Sequence, residues 1–169
     1  GYLIIIIVAY LIGDSELPES VYKKLLNRDV VKLVSDYVDN KEKIYFIGKF
    51  TVNRVLDGDT IIVLDENYKV ETVRFLAVDT LERDSKDKLE KCFALKQTDF
   101  TKQHLLNHEV YLYGDRTQTN RDKYDRLLAY VSTTSTDSIN FFNNTLLETG
   151  NANVYIANPP AYFINEYNK

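Results

Sequence analysis

The stretch RVLDGDTIIVL, residues 54–64, places an Asp-Gly-Asp triplet between two apolar runs that favour β-strands. Asp-Gly between alternating hydrophobic residues is the strongest short-range signal for a hairpin turn. The stretch therefore predicts a β-hairpin whose turn is flanked by the carboxylates of Asp57 and Asp59. Two acidic side chains at one bend can also be half of a metal site, and the triplet alone favours the turn without excluding the metal.

The composition is typical of a globular protein with one domain and an appendage. The chain has 169 residues, of which 44% are hydrophobic and 27% charged. The single cysteine, Cys92, excludes an internal disulfide, and with only His104 and His108 as further soft ligands a thiolate zinc site is excluded as well. A metal would therefore be held mainly by oxygen, which favours calcium or magnesium. The net charge of −4 argues against bulk electrostatic coating of nucleic acid but allows a locally basic cleft.

The chain opens with an uninterrupted apolar run, YLIIIIVAYLI, within residues 1–12. The run is too short to span a bilayer by itself. It is interpreted as the end of a membrane anchor, the h-region of a secretion signal, or a buried strand. The polar residues that follow at once, Gly13-Asp14-Ser15-Glu16, favour the first two interpretations together.

Residues 13–43 are predicted to form an amphipathic helix and a linker. Pro18 lies where a first helical turn would begin, and apolar residues recur at three- and four-residue spacing over residues 19–38. Such a helix can lie on a membrane or bind a partner helix. The stripe more often docks on the domain that follows, and this is the expectation here.

From Ile44 to Lys169 the pattern predicts one α+β domain. Strands are expected at residues 44–56, 60–64, 70–78, 110–113, 127–131 and 152–156. A first helix would use an apolar face formed by Leu89, Phe93, Leu95, Phe100, Leu105 and Leu106. A second helix is expected at residues 141–148, with Gly150 as its C-cap. This order predicts a small barrel with helices packed outside it.

Four polar clusters lie at the ends of the predicted strands. They are Asp57 with Asp59; Arg74; Asp79, Thr80 and Glu82; and Lys123, Tyr124 and Arg126. Taken singly, a charged residue at a strand end is usually solvated, and an arginine in a strand usually faces water or a rim carboxylate. The clusters carry functional information only as an ordered set.

That ordered set resembles the staphylococcal nuclease-like (thermonuclease) family over most of residues 50–160. The resemblance rests on RVLDGDT at 54–60, VRFLAVDTLE at 73–82 and DKYDRLLAYV at 122–131, supported by EKCFALKQTDFTKQHL at 90–105 and LLETGNANVY at 146–155. It implies a five-stranded OB-fold-type β-barrel with flanking helices. It also implies a calcium-dependent phosphodiesterase that cuts DNA and RNA and leaves 3′-phosphates.

The resemblance assigns five residues to a calcium site and its attacking water. Asp59, Asp79 and the backbone carbonyl of Thr80 would bind Ca²⁺, a hard cation that takes oxygen ligands. Asp57 would support the site through water. Glu82 matches the general base, and a carboxylate of ordinary pKa is ionised at neutral pH and able to accept a proton.

The resemblance assigns five further residues to the substrate. Arg74 and Arg126 match two arginines that grip the scissile phosphate, where forked guanidinium donors follow the charge that develops on its oxygens. Lys123 and Tyr124 match positions near the nucleotide's terminal phosphate and its sugar or base. Tyr155 is close in register to the first of the family's two nucleotide-stacking tyrosines.

Three positions depart from the family pattern. Leu81 stands where the family often has proline, which is expected to free the turn before Glu82. Asp125 replaces a glycine; it is expected to occupy a left-handed turn and to weaken substrate affinity by adding negative charge beside Arg126. Asn158 stands where a second nucleotide-stacking tyrosine would be expected.

The sequence therefore predicts a monomeric calcium-dependent nuclease that prefers single-stranded DNA or RNA. One alternative is a non-catalytic binding module, similar to the nuclease-fold domains of Tudor-staphylococcal-nuclease co-activators. Another is a calcium-stabilised interaction domain. The apolar residues 1–12 predict membrane association or secretion, with the domain outside the cytoplasm.

Overall fold

The computed structural model describes residues 43–134, 141–157 and 159–161, which form a mixed α+β fold. Its strands are β1 (Ile44–Asp57), β2 (Thr60–Leu64), β3 (Val70–Phe75), β4 (Val78–Asp79), β5 (Glu109–Asp115), β6 (Leu127–Ser132) and β7 (Asn153–Val154). Its helices are α1 (Lys88–Leu105) and α2 (Phe142–Glu148). The segment predicted at 1–12, the helix predicted at 19–38 and Asn158 lie outside the described residues.

Five of the strands close a barrel in the order β1-β2-β3-β6-β5. The β3–β6 pairing is parallel, and the other four pairings are antiparallel. The predicted α+β class, with a five-stranded sheet and two helices, is confirmed.

The long strand β1 closes the barrel because it pairs with two neighbours. Its first half pairs with β5, and its second half pairs with β2. Register shifts between Phe46 and Gly48, and again between Val52 and Arg54, interrupt the ladders. Such bulges bend and twist a strand, which allows β1 to pair with β5 at one end and with β2 at the other.

The barrel interior is filled by aliphatic side chains from every barrel strand. Val52, Ile61, Val73, Leu112 and Val131 are fully buried. The helices cover this core with Leu105 of α1 and with Phe142 and Leu146 of α2. The core thus fixes the ends of β1, β2, β3 and β6, where the polar clusters of the sequence lie.

The strand predicted at 70–78 is interrupted. β3 ends at Phe75, and Ala77 adopts a positive φ of 62°, which turns the chain before β4 begins at Val78. β4 pairs with β7 in a separate two-stranded sheet, so the last predicted strand is shorter than expected and lies outside the barrel. Gly150, with φ of 70°, follows α2 as a helix-ending glycine should.

The predicted apolar face of α1 is wrong in its first half. Leu89, Phe93 and Leu95 are 66%, 48% and 41% exposed. Small and polar side chains take the buried face there instead: Ala94, Gln97, Thr98 and Thr101. Leu105, at the end of the helix, is buried as predicted. Burial of the hydroxyls is tolerated because each donates a hydrogen bond, Thr98 to the carbonyl of Ala94 at 2.8 Å and Thr101 to that of Gly58 at 2.6 Å.

Candidate functional site

The hairpin turn between β1 and β2 carries the first predicted cluster. Asp57 pairs with Thr60, so Gly58 and Asp59 form the two-residue connection, and the predicted hairpin is confirmed. The Asp57 carboxylate accepts a hydrogen bond from the Asp59 N–H at 3.3 Å. Asp59 is only 4% exposed, so this turn directs one of its two carboxylates inward.

Gly58 is required by close packing and not by its backbone angle. Its φ is not positive; the described glycine with a positive φ is Gly150. A Cβ at position 58 would lie 2.7 Å from Cγ2 of Thr80 and 3.1 Å from Cβ of Gln97. The absent side chain therefore lets the first turn pack against Thr80 and against α1.

The inward carboxylate of Asp59 joins the first turn to the second. Its Oδ2 accepts hydrogen bonds from the Thr80 N–H at 2.7 Å and the Thr80 hydroxyl at 2.9 Å. Its Oδ1 accepts one from the Thr60 hydroxyl at 3.0 Å. Residues 21 positions apart are thereby held together, as the predicted metal site requires.

Arg74 lies between the two predicted metal-binding carboxylates. Its Nη1 is 3.0 Å from Asp59 Oδ2, and its Nη2 is 2.7 Å from Asp79 Oδ1. Nη1 also donates to the carbonyls of Phe75 at 3.1 Å and Val78 at 2.8 Å, so the side chain is fixed and only 13% exposed. One guanidinium thus holds both carboxylates at the same place.

Burial strongly affects the charge state of the Asp59 carboxyl. Burial raises the pKa of Asp59 to about 7; Arg74 opposes this change and the nearby Asp57 adds to it. A cation placed beside this carboxyl would favour its ionised form, as any opposite charge does.

The oxygen donors of the two turns fit a hard divalent cation. Asp59 is buried, Asp79 has a side chain that is 54% exposed, and both contact the same guanidinium. Within the described ranges, no three His, Cys, Asp or Glu side chains form a metal-ligating group. A cation here would therefore complete its shell with a backbone carbonyl, such as that of Thr80, and with water, which Ca²⁺ accepts readily.

The loop before β6 carries the second arginine. Arg126 contacts Asp122 Oδ2 through Nε and Nη2, each at 2.6 Å. Burial raises the pKa of Asp122, but hydrogen bonds from Arg126 and Tyr124 lower it further than burial raises it. The exposed ring of Tyr124 lies 5.3 Å from the Arg126 guanidinium and 4.9 Å from the Lys123 ammonium. Lys123, Tyr124 and Arg126 therefore form one group, as predicted.

Strand pairing places Arg74 on β3 and Arg126 directly before β6, the strand that neighbours β3. Thr60 of β2 pairs with Arg74 of β3. Leu127 of β6, which directly follows Arg126, pairs with Val73 of β3 in the parallel ladder. The ends of β2, β3 and β6 are adjacent, so three predicted clusters that are far apart in the sequence lie at one edge of the barrel.

The matched sequence motifs and this strand arrangement agree with one protein family. Residues 72–168, more than half of the chain, match the staphylococcal nuclease homologues. The chain belongs to this family. The resemblance inferred from the motifs is confirmed.

Several known proteins are similar to this chain in sequence. The thermonuclease of Staphylococcus hyicus is 42% identical over 82 residues, 48% of this chain and 47% of that protein. An uncharacterized protein of Methanocaldococcus jannaschii is 32% identical over 140 residues, 73% of this chain and 65% of that protein. Endonuclease YncB of Bacillus subtilis is 29% identical over 156 residues, 92% of this chain and 70% of that protein. The chain spans about half the length of the thermonucleases it matches.

Glu82, the residue that the sequence predicts as the general base, lies in the turn after β4. It is exposed and lines an open depression of about 360 Å³ together with Asp57. Arg83 borders the same depression and donates to the Leu56 carbonyl at 2.7 Å. Asp57 and Glu82 thus line the same open depression, beside the hairpin turn and the turn after β4.

The first departure from the family pattern is compensated by α1. Leu81 was expected to free its turn, but its N–H donates to Oε1 of Gln97 at 2.9 Å. This contact holds the turn at the position where the family often has proline. The effect of leucine on the mobility of this turn stays a prediction.

The second departure behaves locally as predicted. Asp125 adopts a positive φ of 63° and occupies the left-handed turn expected for it. Its carboxylate lies 3.5 Å from Nε of Arg121, which also forms a bidentate pair with Glu71 at 2.8 Å for each bond. The Asp125 carboxylate thus forms an ion pair with Arg121. The effect of Asp125 on substrate affinity stays a prediction.

Tyr155 is positioned next to the β4 turn. Its side chain is 51% exposed, and its N–H donates to the carbonyl of Ala77 at 2.9 Å. The tyrosine therefore lies just past β7, beside the chain that leads to Asp79.

Sequence reasoning missed the buried polar side chains of α1. Gln97 contacts the second turn and Thr101 contacts the first, through Leu81 and Gly58 respectively. The one signal that could have revealed them is the spacing of Ala94, Thr98 and Thr101, which places small and hydroxyl-bearing residues on one helical face.

Proposed function

We propose that this chain is a nuclease that hydrolyses phosphodiester bonds of DNA or RNA, requires calcium and leaves 3′-phosphates. The observation that carries the proposal is the contact of one guanidinium, Arg74, with both Asp59 and Asp79. Arg126 directly precedes β6, the strand that pairs with the strand of Arg74. Two carboxylates and two arginines at one edge of the barrel match the needs of phosphodiester hydrolysis.

The two arginines would stabilise the charge that develops during hydrolysis. Attack on a phosphodiester increases negative charge on its non-bridging oxygens, and guanidinium groups donate two parallel hydrogen bonds to such oxygens. A calcium ion held by Asp59, Asp79 and the Thr80 carbonyl would add positive charge beside the same phosphate. Arg74 would then exchange part of its contact with the carboxylates for contact with the phosphate.

Glu82 would accept a proton from the attacking water. The water oxygen forms a bond to phosphorus, and the bond from phosphorus to the 5′-oxygen breaks. The phosphate stays on the 3′-oxygen of one product, while the 5′-oxygen of the other takes up a proton from solvent. Glu82 is exposed to solvent, as a side chain that accepts a proton from an attacking water must be.

The exposed ring of Tyr124 supports a preference for single strands. It is 67% exposed and flanked by Lys123 and Arg126, which suits stacking of an unpaired base beside a phosphate. The net charge of −4 disfavours long duplexes, whose binding depends on many phosphate contacts. Cleavage of duplex DNA should decline more steeply with salt than cleavage of a single strand of the same sequence.

A cleavage assay separates this proposal from a non-catalytic binding module. Purified full-length protein is incubated with 5′-labelled single-stranded DNA or RNA in calcium, and then with excess chelator. Arg74→Ala and Arg126→Ala are compared with a control, Arg54→Ala, which removes an exposed arginine of β1 that is not part of the proposed site. The proposal expects chelator-sensitive cleavage that only the first two variants lose, with products that a 3′-phosphatase shifts. Binding without cleavage by the wild type would instead support the module.

We also propose that the protein acts outside the cytoplasm, as a secreted or membrane-anchored enzyme. The support is the apolar sequence of residues 1–12 and the abundance of calcium outside cells. Neither α1 nor α2 of the described chain is long and apolar enough to cross a membrane. Fractionation of cells that produce the full chain tests this placement; recovery only in the cytoplasmic fraction contradicts it.

A further inference from the structure

Gln97 of α1 is a buried polar side chain that contacts the turn carrying Asp79 and Glu82. It is 9% exposed, and its Oε1 accepts a hydrogen bond from the Leu81 N–H at 2.9 Å. Its Cβ lies 3.1 Å from the point that a side chain at Gly58 would occupy. Gln97 is therefore packed against one turn of the site and hydrogen-bonded to the other.

Three contacts hold the two turns to α1 and to each other. Thr101 donates to the Gly58 carbonyl, Gln97 accepts from Leu81, and Thr80 donates twice to Asp59. The first fixes the hairpin turn to the helix and the last joins the turns to each other. The bond from Leu81 to Gln97 is the one that acts on the residue directly before Glu82.

We propose that Gln97 is a positioning residue that holds Glu82 in place through the Leu81 N–H. This inference rests on the proposed nuclease function, in which Glu82 accepts the proton of the attacking water. A proline at position 81 restricts the backbone angle but has no N–H to donate. Leucine lacks that restriction, and its N–H is held by Gln97 instead. The chain thus replaces a conformational restriction with a hydrogen bond from an adjacent helix.

Loss of the Gln97 acceptor should affect the chemical step more than substrate binding. Gln97→Leu keeps the approximate volume but leaves the Leu81 N–H without its partner. Because a base displaced by about 1 Å can cost roughly 100-fold in rate, kcat should fall by at least ~10-fold. The contacts of Arg74 and Arg126 with the phosphate do not depend on Gln97, so KM should change by less than about 3-fold.

A double-mutant cycle tests the route through Leu81. Gln97→Leu, Leu81→Pro and the double variant are compared in the full chain, with Lys96→Leu as the control at an exposed position of the same helix. Leu81→Pro removes the donor, so Gln97→Leu should lower kcat further by less than about 2-fold in that background. Gln97→Glu retains an acceptor oxygen and should recover most of the lost rate. If Gln97→Leu lowers kcat by the same factor in the wild-type background and in the Leu81→Pro background, the proposal is overturned.

A readout independent of catalysis distinguishes this inference from the proposed function. Hydrogen exchange at the Leu81 amide should be slow in the wild type and in Lys96→Leu, and clearly faster in Gln97→Leu. If the wild type cleaves no nucleic acid, the proposed function is wrong. If the Leu81 amide exchanges equally in wild type and Gln97→Leu, the positioning role is wrong. If the fall in kcat of Gln97→Leu is fully explained by a larger fraction of unfolded protein, the positioning role is also wrong.

Discussion

Thr80 donates both its backbone N–H and its hydroxyl to the same carboxylate oxygen of Asp59, at 2.7 and 2.9 Å. The two residues come from different turns, and both are buried. The pair therefore links the hairpin turn to the turn that carries Asp79. A cation site built from both turns depends on this link.

Removing the Thr80 hydroxyl should loosen the link without breaking it. Thr80→Val keeps the N–H bond and the side-chain shape but takes one donor from a buried carboxylate, at a cost of about 1–2 kcal/mol in the free energy of unfolding. Urea unfolding without added metal measures the change. Thr80→Ser keeps the hydroxyl and is the matched control; equal losses from both variants would mean that packing, not hydrogen bonding, accounts for the effect.

A methyl group at Gly58 should force the two turns apart. Its Cβ would lie 2.7 Å from Cγ2 of Thr80, so Gly58→Ala should lower the free energy of unfolding by about 1–3 kcal/mol. Thr80→Ser removes Cγ2, and the double variant should therefore recover part of this loss. Urea unfolding of the two single variants and the double variant measures the coupling. Strictly additive losses would contradict the steric explanation.

The ion pair between Glu71 and Arg121 should contribute to the pH dependence of stability. The hydrogen bond from Arg121 lowers the pKa of Glu71 below its ordinary value of 4.5, although burial opposes this change. The contribution is full above pH 4.5 and is lost as the pH falls through the lowered pKa.

Glu71→Gln should therefore flatten the acid side of the stability profile. Urea unfolding between neutral and acidic pH provides the measurement. Glu66→Gln, at an exposed position between β2 and β3, is the control that should leave the profile unchanged. A wild-type profile that Glu71→Gln does not alter would exclude the pair as a source of acid sensitivity.

The two aspartates of the hairpin turn should differ in their contributions. Asp59→Asn keeps an acceptor for Thr80 but removes the charge beside Asp79, so it should abolish both calcium binding and cleavage, as should Asp59→Ala. We propose that Asp57 supports the site through water, so Asp57→Ala should weaken calcium affinity by about 10-fold while cleavage persists at saturating calcium. Calorimetric titration with calcium and single-turnover cleavage separate the two effects. Equal loss in both aspartate variants would contradict the distinction.

The sequence predicted much of the barrel because its strands alternate hydrophobic and polar residues around a strong turn signal. The hairpin at Asp57 and Asp59 depends on local turn chemistry, so the 11 residues 54–64 were enough to predict it. The break after Phe75 was not accessible, because the run FLAV is continuously apolar and Ala77 gives no sign of its positive φ. The carbonyl of Ala77 accepts a hydrogen bond from the distant Tyr155 N–H, a contact that the local sequence does not reveal.

The face of α1 was mispredicted because periodicity counts apolar residues alone. Thr98, Thr101 and Gln97 are buried where their polar atoms find partners, and two of those partners belong to the distant turns at Gly58 and Leu81. Sequence spacing cannot reveal such partners before the fold is known. The motif positions at Asp59, Arg74 and Asp79 were identified through family resemblance, and the structure places them in contact.

We propose that Arg74, Asp59 and Asp79 form a calcium-dependent phosphodiesterase site. The most direct test of this proposal is single-turnover cleavage of 5′-labelled single-stranded DNA and RNA by wild type and Arg74→Lys, with calcium and with chelator. Lysine keeps the positive charge but cannot contact two carboxylates or a phosphate in a bidentate manner. We expect chelator-sensitive cleavage by the wild type, reduced by about 100-fold or more in Arg74→Lys. Cleavage that persists in chelator, or that Arg74→Lys performs at the wild-type rate, would contradict it.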